Sequence, residues 1–219
     1  MEPGATEHAP VLLGEALEAL APHAAGSYLD ATLGRGGHTA AILEQLGEAG
    51  RLLAVDRDPE AVRAGQRRFA GDERVSIVRG NFAELEQIAA QAGFSAGFDG
   101  VLLDVGVSSP QLDDPARGFS FMRDGPLDMR MDPDAGRSAA DWLATVSERD
   151  LARVLFEYGE ERHGRRIARA IVAARQVNPI RSTGQLAELI AGAVPGREPG
   201  KHPATRSFQA IRIYINDEL

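Results

Sequence analysis

Asp30-Ala-Thr-Leu-Gly34-Arg-Gly36-Gly37-His38 lies between two short apolar runs, Tyr28-Leu29 before it and Leu52–Val55 after it, and its reading decides the fold. Glycines clustered directly after an extended run make a tight turn without a Cβ penalty. Thr39–Leu46 then carries Ala40, Ala41, Leu43 and Leu46 at helical spacing, so the segment reads as strand, turn, helix and second strand. Exposed amides at such a helix start favour an anion or carboxylate. Asp56 closes the second strand, where an acidic side chain accepts both hydroxyls of a ribose. The pattern is that of a nucleotide-type cofactor pocket. A dinucleotide fingerprint spaces its glycines G-x-G-x-x-G, whereas here they fall at 34, 36 and 37 with Ala40 beyond, which weakens a nicotinamide reading.

Outward from this stretch the chain alternates strand and helix, with strands expected at 27–31, 51–56, 74–79 and 98–105. In an open parallel sheet ligands lie at the carboxyl ends of strands, so Asp30, Asp56, Asn81 or Phe82, and Asp104 are expected to converge on one crevice. Phe82 suits the flank of an adenine ring and Asp104 its exocyclic amine. Asp58-Pro59-Glu60 reads as a helix start with Asp58 as N-cap, which makes Asp58 structural and Asp56 the ligand. After Val105 the alternation stops. Residues 106–136 form a loop rich in Gly, Pro, Asp and Arg, and helices are expected at 138–146, 147–158 (capped by Ser147), 160–176, 183–193 and from 205 onward.

The 219 residues, 43% hydrophobic and 26% charged, can bury a real core. No apolar run approaches the roughly 18 residues of a membrane span, and the first ten residues are polar, so the expected location is cytoplasmic, with no membrane partner. With no cysteine, disulfides, thiolate metal sites and a cysteine nucleophile are excluded. The histidines at 8, 23, 38, 163 and 202 include no i, i+4 pair, and no metal is expected. The net charge of −8 is unevenly spread: residues 162–212 hold ten Arg or Lys against Glu188 and Glu198. Arg162, Arg165, Arg166 and Arg169 fall on one helical stripe, with Ile167 and Ile171 opposite. A basic module on an acidic body can hold a phosphate backbone, because binding follows local potential; a solvated helix face is the plainer account of any one stripe.

The loop is similar to the acidic-x-G-x-G-x-G loop of S-adenosylmethionine methyltransferases, with Asp30 as the leading acid and Thr32 in place of the first glycine. More specifically, six stretches together resemble the bacterial MraW/RsmH family: His8–Leu13, Asp30–His38, Leu103–Leu112, Arg117–Phe121, Asp124–Asp132 and Lys201–Arg212. That family methylates cytosine N4 in small-subunit (16S) ribosomal RNA. The resemblance implies a Rossmann-like α/β methyltransferase core with an inserted helical domain. It places S-adenosylmethionine contacts on Gly36, Gly37, His38, Asp56, Phe82, Asp104 and Gln111. It also implies ribosomal RNA or the assembled small subunit as partner and no DNA, and leaves a homodimer open. Amino methyltransferases follow the fourth strand with an (Asp/Asn/Ser)-Pro-Pro-aromatic loop; Ser108-Ser109-Pro110-Gln111 is similar but lacks the second proline and the aromatic. Ser109 and the Pro110 carbonyl are thus the catalytic candidates, with Phe119 or Phe121 as stacking surface. An ST-turn capping the loop is the structural alternative for Ser109.

Family chains continue past Asn216-Asp-Glu-Leu219 by about half this length again, supplying further strands, so the core is expected to be incomplete, about four parallel strands with an exposed apolar edge. The expected organisation is a cofactor core at 1–105, a loop plus helical substrate domain at 106–204, and a helix at 205–219 returning to the core. The rival function is a truncated, non-catalytic RNA-binding fragment of the same fold. A nicotinamide oxidoreductase ranks far behind.

Overall fold

The computed structural model describes residues 10, 12–196, 200 and 202–219. His8, Ala9, Val11 and Lys201 therefore lie outside the described residues. The chain divides into two compact units, Met1–Val105 and Gly106–Leu219.

In the first unit β1 (Ser27–Asp30), β2 (Arg51–Asp56), β3 (Val75–Arg79) and β4 (Gly100–Leu102) form one parallel sheet in the order β3-β2-β1-β4. This is the doubly wound, Rossmann-like arrangement, with its topological switch beside β1, where the chain leaves one edge for the other. Helices α1 (Leu13–Leu20), α2 (Gly37–Gln45), α3 (Pro59–Arg68) and α4 (Leu85–Gln91) intervene. Successive strand residues point to opposite faces. Leu29, Leu53 and Val55 pack with Ile88 and Phe94 on one face, and Tyr28 and Leu52 with Ile42 and Leu46 on the other. Both faces are thus covered, as parallel strands require.

The fourth strand is shorter than expected. Once β1 turns into the glycine loop after Asp30, β4 has no partner left: the Ala31 amide takes the Leu102 carbonyl at 2.9 Å, and the Asp104 amide donates to the Thr32 hydroxyl at 2.7 Å. Among the described residues β4 pairs with β1 alone, and Val101 and Leu103 are each 48% exposed.

The second unit holds α5 (Ser109–Asp113), α6 (Ala139–Thr145), α7 (Glu148–Gly159), α8 (Gly164–Val177), α9 (Thr183–Ala193) and α10 (Thr205–Asn216). Its core gathers Leu143, Leu151, Leu155, Ile167, Leu186 and Phe208. Ser147 caps α7 by accepting from the Asp150 amide. The helix expected at 160–176 starts only at Gly164, because Glu160 adopts a left-handed φ of 49° and the Glu161 carboxylate accepts from the His163 amide. Arg162 therefore precedes α8, while Arg165, Arg166 and Arg169 ride on it; all four are exposed, and Ile167 and Ile171 are buried on the opposite side. The helix expected to return toward the first part, α10, buries Phe208, Ala210 and Ile211 in the second unit's core.

The loop before α6 has no regular structure, yet it is pinned. Asn216, at the end of α10, accepts from the Met131 amide and donates to the Met129 carbonyl, each at 2.7 Å, around a Met129 held at φ 63° and fully buried. Asp128 grips Arg130 through two hydrogen bonds of 2.8 Å. Among the described residues no helix is long and apolar enough to cross a membrane.

Candidate functional site

The carboxyl end of the first unit's sheet is organised by buried acids. Asp30 is fully buried; one carboxylate oxygen accepts from the Thr32 amide at 3.1 Å and the other from the Thr39 hydroxyl at 2.6 Å. Burial pushes its pKa up, while those two donors pull it down. Asp30 thus ties both ends of the glycine turn to β1.

Asp56, at the end of β2, accepts from the Gly34 amide with one oxygen and the Asp58 amide with the other, each at 2.8 Å. Burial raises its pKa against these two bonds. A carboxylate offers about four lone-pair directions, so acceptor capacity remains for a ligand. Asp58 accepts from the Glu60 amide at 2.9 Å as N-cap of α3, the structural role its Asp-Pro-Glu setting predicts.

The three glycines of the turn do different work. Gly36 sits at φ 73°, and a Cβ there would meet the Phe69 ring at 2.8 Å; a Cβ on Gly37 would run into Pro10. Packing alone therefore demands glycine at 36 and 37. Gly34, at φ 51°, is half-buried with room for a Cβ 3.9 Å from the Thr32 carbonyl, and has its amide fixed on Asp56. Gly34, named with the turn glycines, was not among the residues that the resemblance places on the cofactor. Gly36 brings no side-chain cap to α2, so the first-turn amides of that helix are not taken by a side chain from the cap position, the arrangement that suits an anion.

His38 is buried at the start of α2, its Nδ1 3.9 Å from a carboxylate oxygen of the exposed Asp104. Thr32 sets the Asp104 backbone, so β1 and β4 are coupled at the switch point. Asn81 is spent on capping the short turn Phe82–Glu84, accepting from the Ala83 amide, whereas the half-buried Phe82 packs beside Ile88 and its neighbours. Asp30, Gly34, Asp56, Phe82 and Asp104 thus lie at strand ends or the turns that follow them, and His38 lies in the first turn of α2.

The remaining candidates belong to the second unit. Ser108 and Gln111 form a capping box at the start of α5, with Gln111 Oε1 accepting from the Ser108 amide at 2.9 Å. The cap is therefore Ser108, and the Ser109 hydroxyl has no partner among the described residues. The Pro110 carbonyl accepts from the Asp114 amide at 3.0 Å, which leaves its second lone pair. Of the two stacking candidates, Phe119 is buried beneath the Arg117 guanidinium, 5.8 Å from its ring centroid, so only Phe121 remains accessible.

Residues 5–219 match the model of the MraW methylase family. The chain belongs to that family. This MraW-family chain is 63% identical over 215 residues to ribosomal RNA small subunit methyltransferase H of Thioalkalivibrio sulfidiphilus, covering 98% of the chain and 68% of that protein. It is 56% identical to the protein of the same name from Alteromonas mediterranea, over 100% of the chain and 69% of the relative. The corresponding protein of Xanthomonas axonopodis pv. citri is 59% identical over 97% of the chain, which spans 61% of that relative's length.

Proposed function

We propose that this chain takes part in S-adenosylmethionine-dependent N4-methylation of a cytidine in small-subunit ribosomal RNA, as a cytoplasmic enzyme with residues 1–105 as cofactor core and the helical segment after them as substrate-binding part. The observation that carries the cofactor assignment is the pairing of Asp56 with Gly34: a strand-end carboxylate fixed to the amide of a left-handed glycine. Asp56 accepts the ribose hydroxyls there, Phe82 flanks the adenine, and Asp104 accepts from the adenine amine. The first-turn amides of α2 hold the carboxylate of the amino acid part. Gly36 and Gly37 serve by letting the turn pack closely. The names of the relatives support ribosomal RNA of the small subunit, free or assembled, as substrate.

S-adenosylmethionine supplies, when bound, a sulfonium methyl. A cytosine amino nitrogen is a poor nucleophile because its lone pair is delocalised into the ring. The Ser109 hydroxyl and the Pro110 carbonyl accept the amino protons and so draw that lone pair out of conjugation, and orientation provides most of the rate. The Ser109 hydroxyl, without a partner among the described residues, supports this role. A methyl-transfer assay on small-subunit ribosomal RNA, with calorimetric titration of S-adenosylmethionine, tests the reading. Ser109→Ala should bind the cofactor normally and transfer slowly. Normal transfer by that variant would remove Ser109 from the mechanism, and RNA binding without cofactor binding by the parent would favour the non-catalytic RNA-binding reading.

A further inference from the structure

The family stretch that ends the second unit, His202–Arg212, has no part in the chemistry above, yet it borders a cavity of about 590 Å³. The wall is formed by Phe121, Tyr158, His202, Arg206 and Gln209, with the exposed Met122 at its edge. Its floor is set by Gly159, where a Cβ would lie 3.0 Å from Ala210 Cβ, so that only glycine lets α7 approach α10 this closely.

Two rings in this wall are fixed in advance. Phe121 and His202 lie 4.6 Å apart at an interplanar angle of 33°, and the buried Phe208 meets Phe121 edge-on at 4.8 Å and 74°. His202 Nδ1 accepts from the Ala204 amide at 3.1 Å, which holds the imidazole plane and turns Nε2 away from the backbone. An exposed aromatic plane, immobilised from below and from one edge, is a platform for a flat ligand that costs little ordering on binding. Around it the polar groups are of mixed sign: the Gln209 amide both donates and accepts, Arg206 donates, and the Glu160 carboxylate accepts. That set matches the edge of a nucleobase together with its phosphate, and not an apolar peptide or a simple anion. The exposed arginines 162, 165, 166 and 169 begin two residues after Glu160, so the strand on either side of such a base has a basic surface to follow.

We infer that this cavity holds one unpaired nucleotide of the RNA strand, its base on the His202–Phe121 platform and its edge read by Gln209. The inference rests on the RNA reading of the second unit and names a subsite within it. Fluorescence anisotropy of the whole chain with a short labelled single-stranded RNA, and with the same sequence as a duplex, tests it. His202→Ala should weaken single-strand binding about ten-fold, with an unchanged salt slope and unchanged duplex binding, while His202→Phe keeps the platform and most of the affinity. Arg165→Ala/Arg169→Ala should weaken both probes and lower the salt slope by about 0.7 per lost phosphate contact on the single strand. Gln209→Ala, on the exposed face of α10, should lose several-fold and decides the matter if His202→Ala changes the circular dichroism spectrum. Parental single-strand affinity in the folded His202 and Gln209 variants, alongside weakened binding by the arginine variant, would overturn the subsite and leave the RNA reading standing. Failure of the parent to bind either probe would overturn both.

Discussion

Thr39→Val isolates the bond on which the glycine turn hangs. The Thr39 hydroxyl is fully buried and donates to Asp30 at 2.6 Å. Valine has nearly the same shape, so the change removes a donor from a buried carboxylate without opening a cavity. A hydrogen bond to an ionised group contributes about 1.5–3 kcal/mol. With a urea m-value of about 2 kcal/mol/M, a loss of about 2 kcal/mol moves the unfolding midpoint of the first unit down by about 1 M. The sign of the pH dependence follows from Asp30. Burial raises its folded pKa, so its contribution is complete below the ordinary aspartate pKa and falls as pH rises through the folded value. Losing Thr39 raises that folded value further. Parent and variant should therefore differ by about 1 kcal/mol in acid and separate further as Asp30 ionises. Hydrogen exchange at the β1 and β2 amides reads the first unit, and the single tryptophan, Trp142, buried in the second unit, gives a fluorescence reference. In Asp30→Asn the partner is neutral, and the cost of Thr39→Val should shrink to about 1 kcal/mol. A penalty equal at all pH values, or additivity of the two substitutions, would refute the assignment and make Thr39 a packing residue.

Asp56→Ala should lower S-adenosylmethionine affinity about 100-fold by calorimetry, equivalent to roughly 2.7 kcal/mol, whereas Asp58→Ala should keep the affinity and cost about 1 kcal/mol of stability as a lost N-cap. Gly36→Ala, at φ 73° and against Phe69, should destabilise the first unit by about 1–3 kcal/mol in urea unfolding. Asn216→Ala leaves the Met129 carbonyl and the Met131 amide without their partner, and should lower second-unit stability by about 2–5 kcal/mol when followed by Trp142 fluorescence.

The parallel sheet was legible in the sequence because its information is local: apolar runs of strand length, glycines after them, and an Asp-Pro-Glu or Ser-x-x-Asp at helix starts. The strand-end acids were legible for the same reason. What was not legible depends on distant partners. Gly36 is required by Phe69, 33 positions on, and Gly37 by Pro10, 27 positions back. The end of β4 is set by where β1 turns away, and the start of α8 by a left-handed Glu160, a conformation that no glycine announces. Residues 106–136 show no periodicity to read, since their order comes from Asn216, 85 residues from Met131, and from Thr183 and Gly184, about 60 residues from Asp124.

The clasp of Asn216 on Met129 and Met131 also orders events during synthesis. The four strands of the first unit have all emerged once residue 102 is out, with β1 pairing to β2 across 24 residues and to β4 across 72. The second unit joins positions 85 and 87 residues apart, a long loop to close before any return in contacts. Its strained Met129 turn is therefore fixed only when α10 has left the ribosome, whereas residues 124–127 of the same loop can be held earlier by Arg181, Thr183 and Gly184.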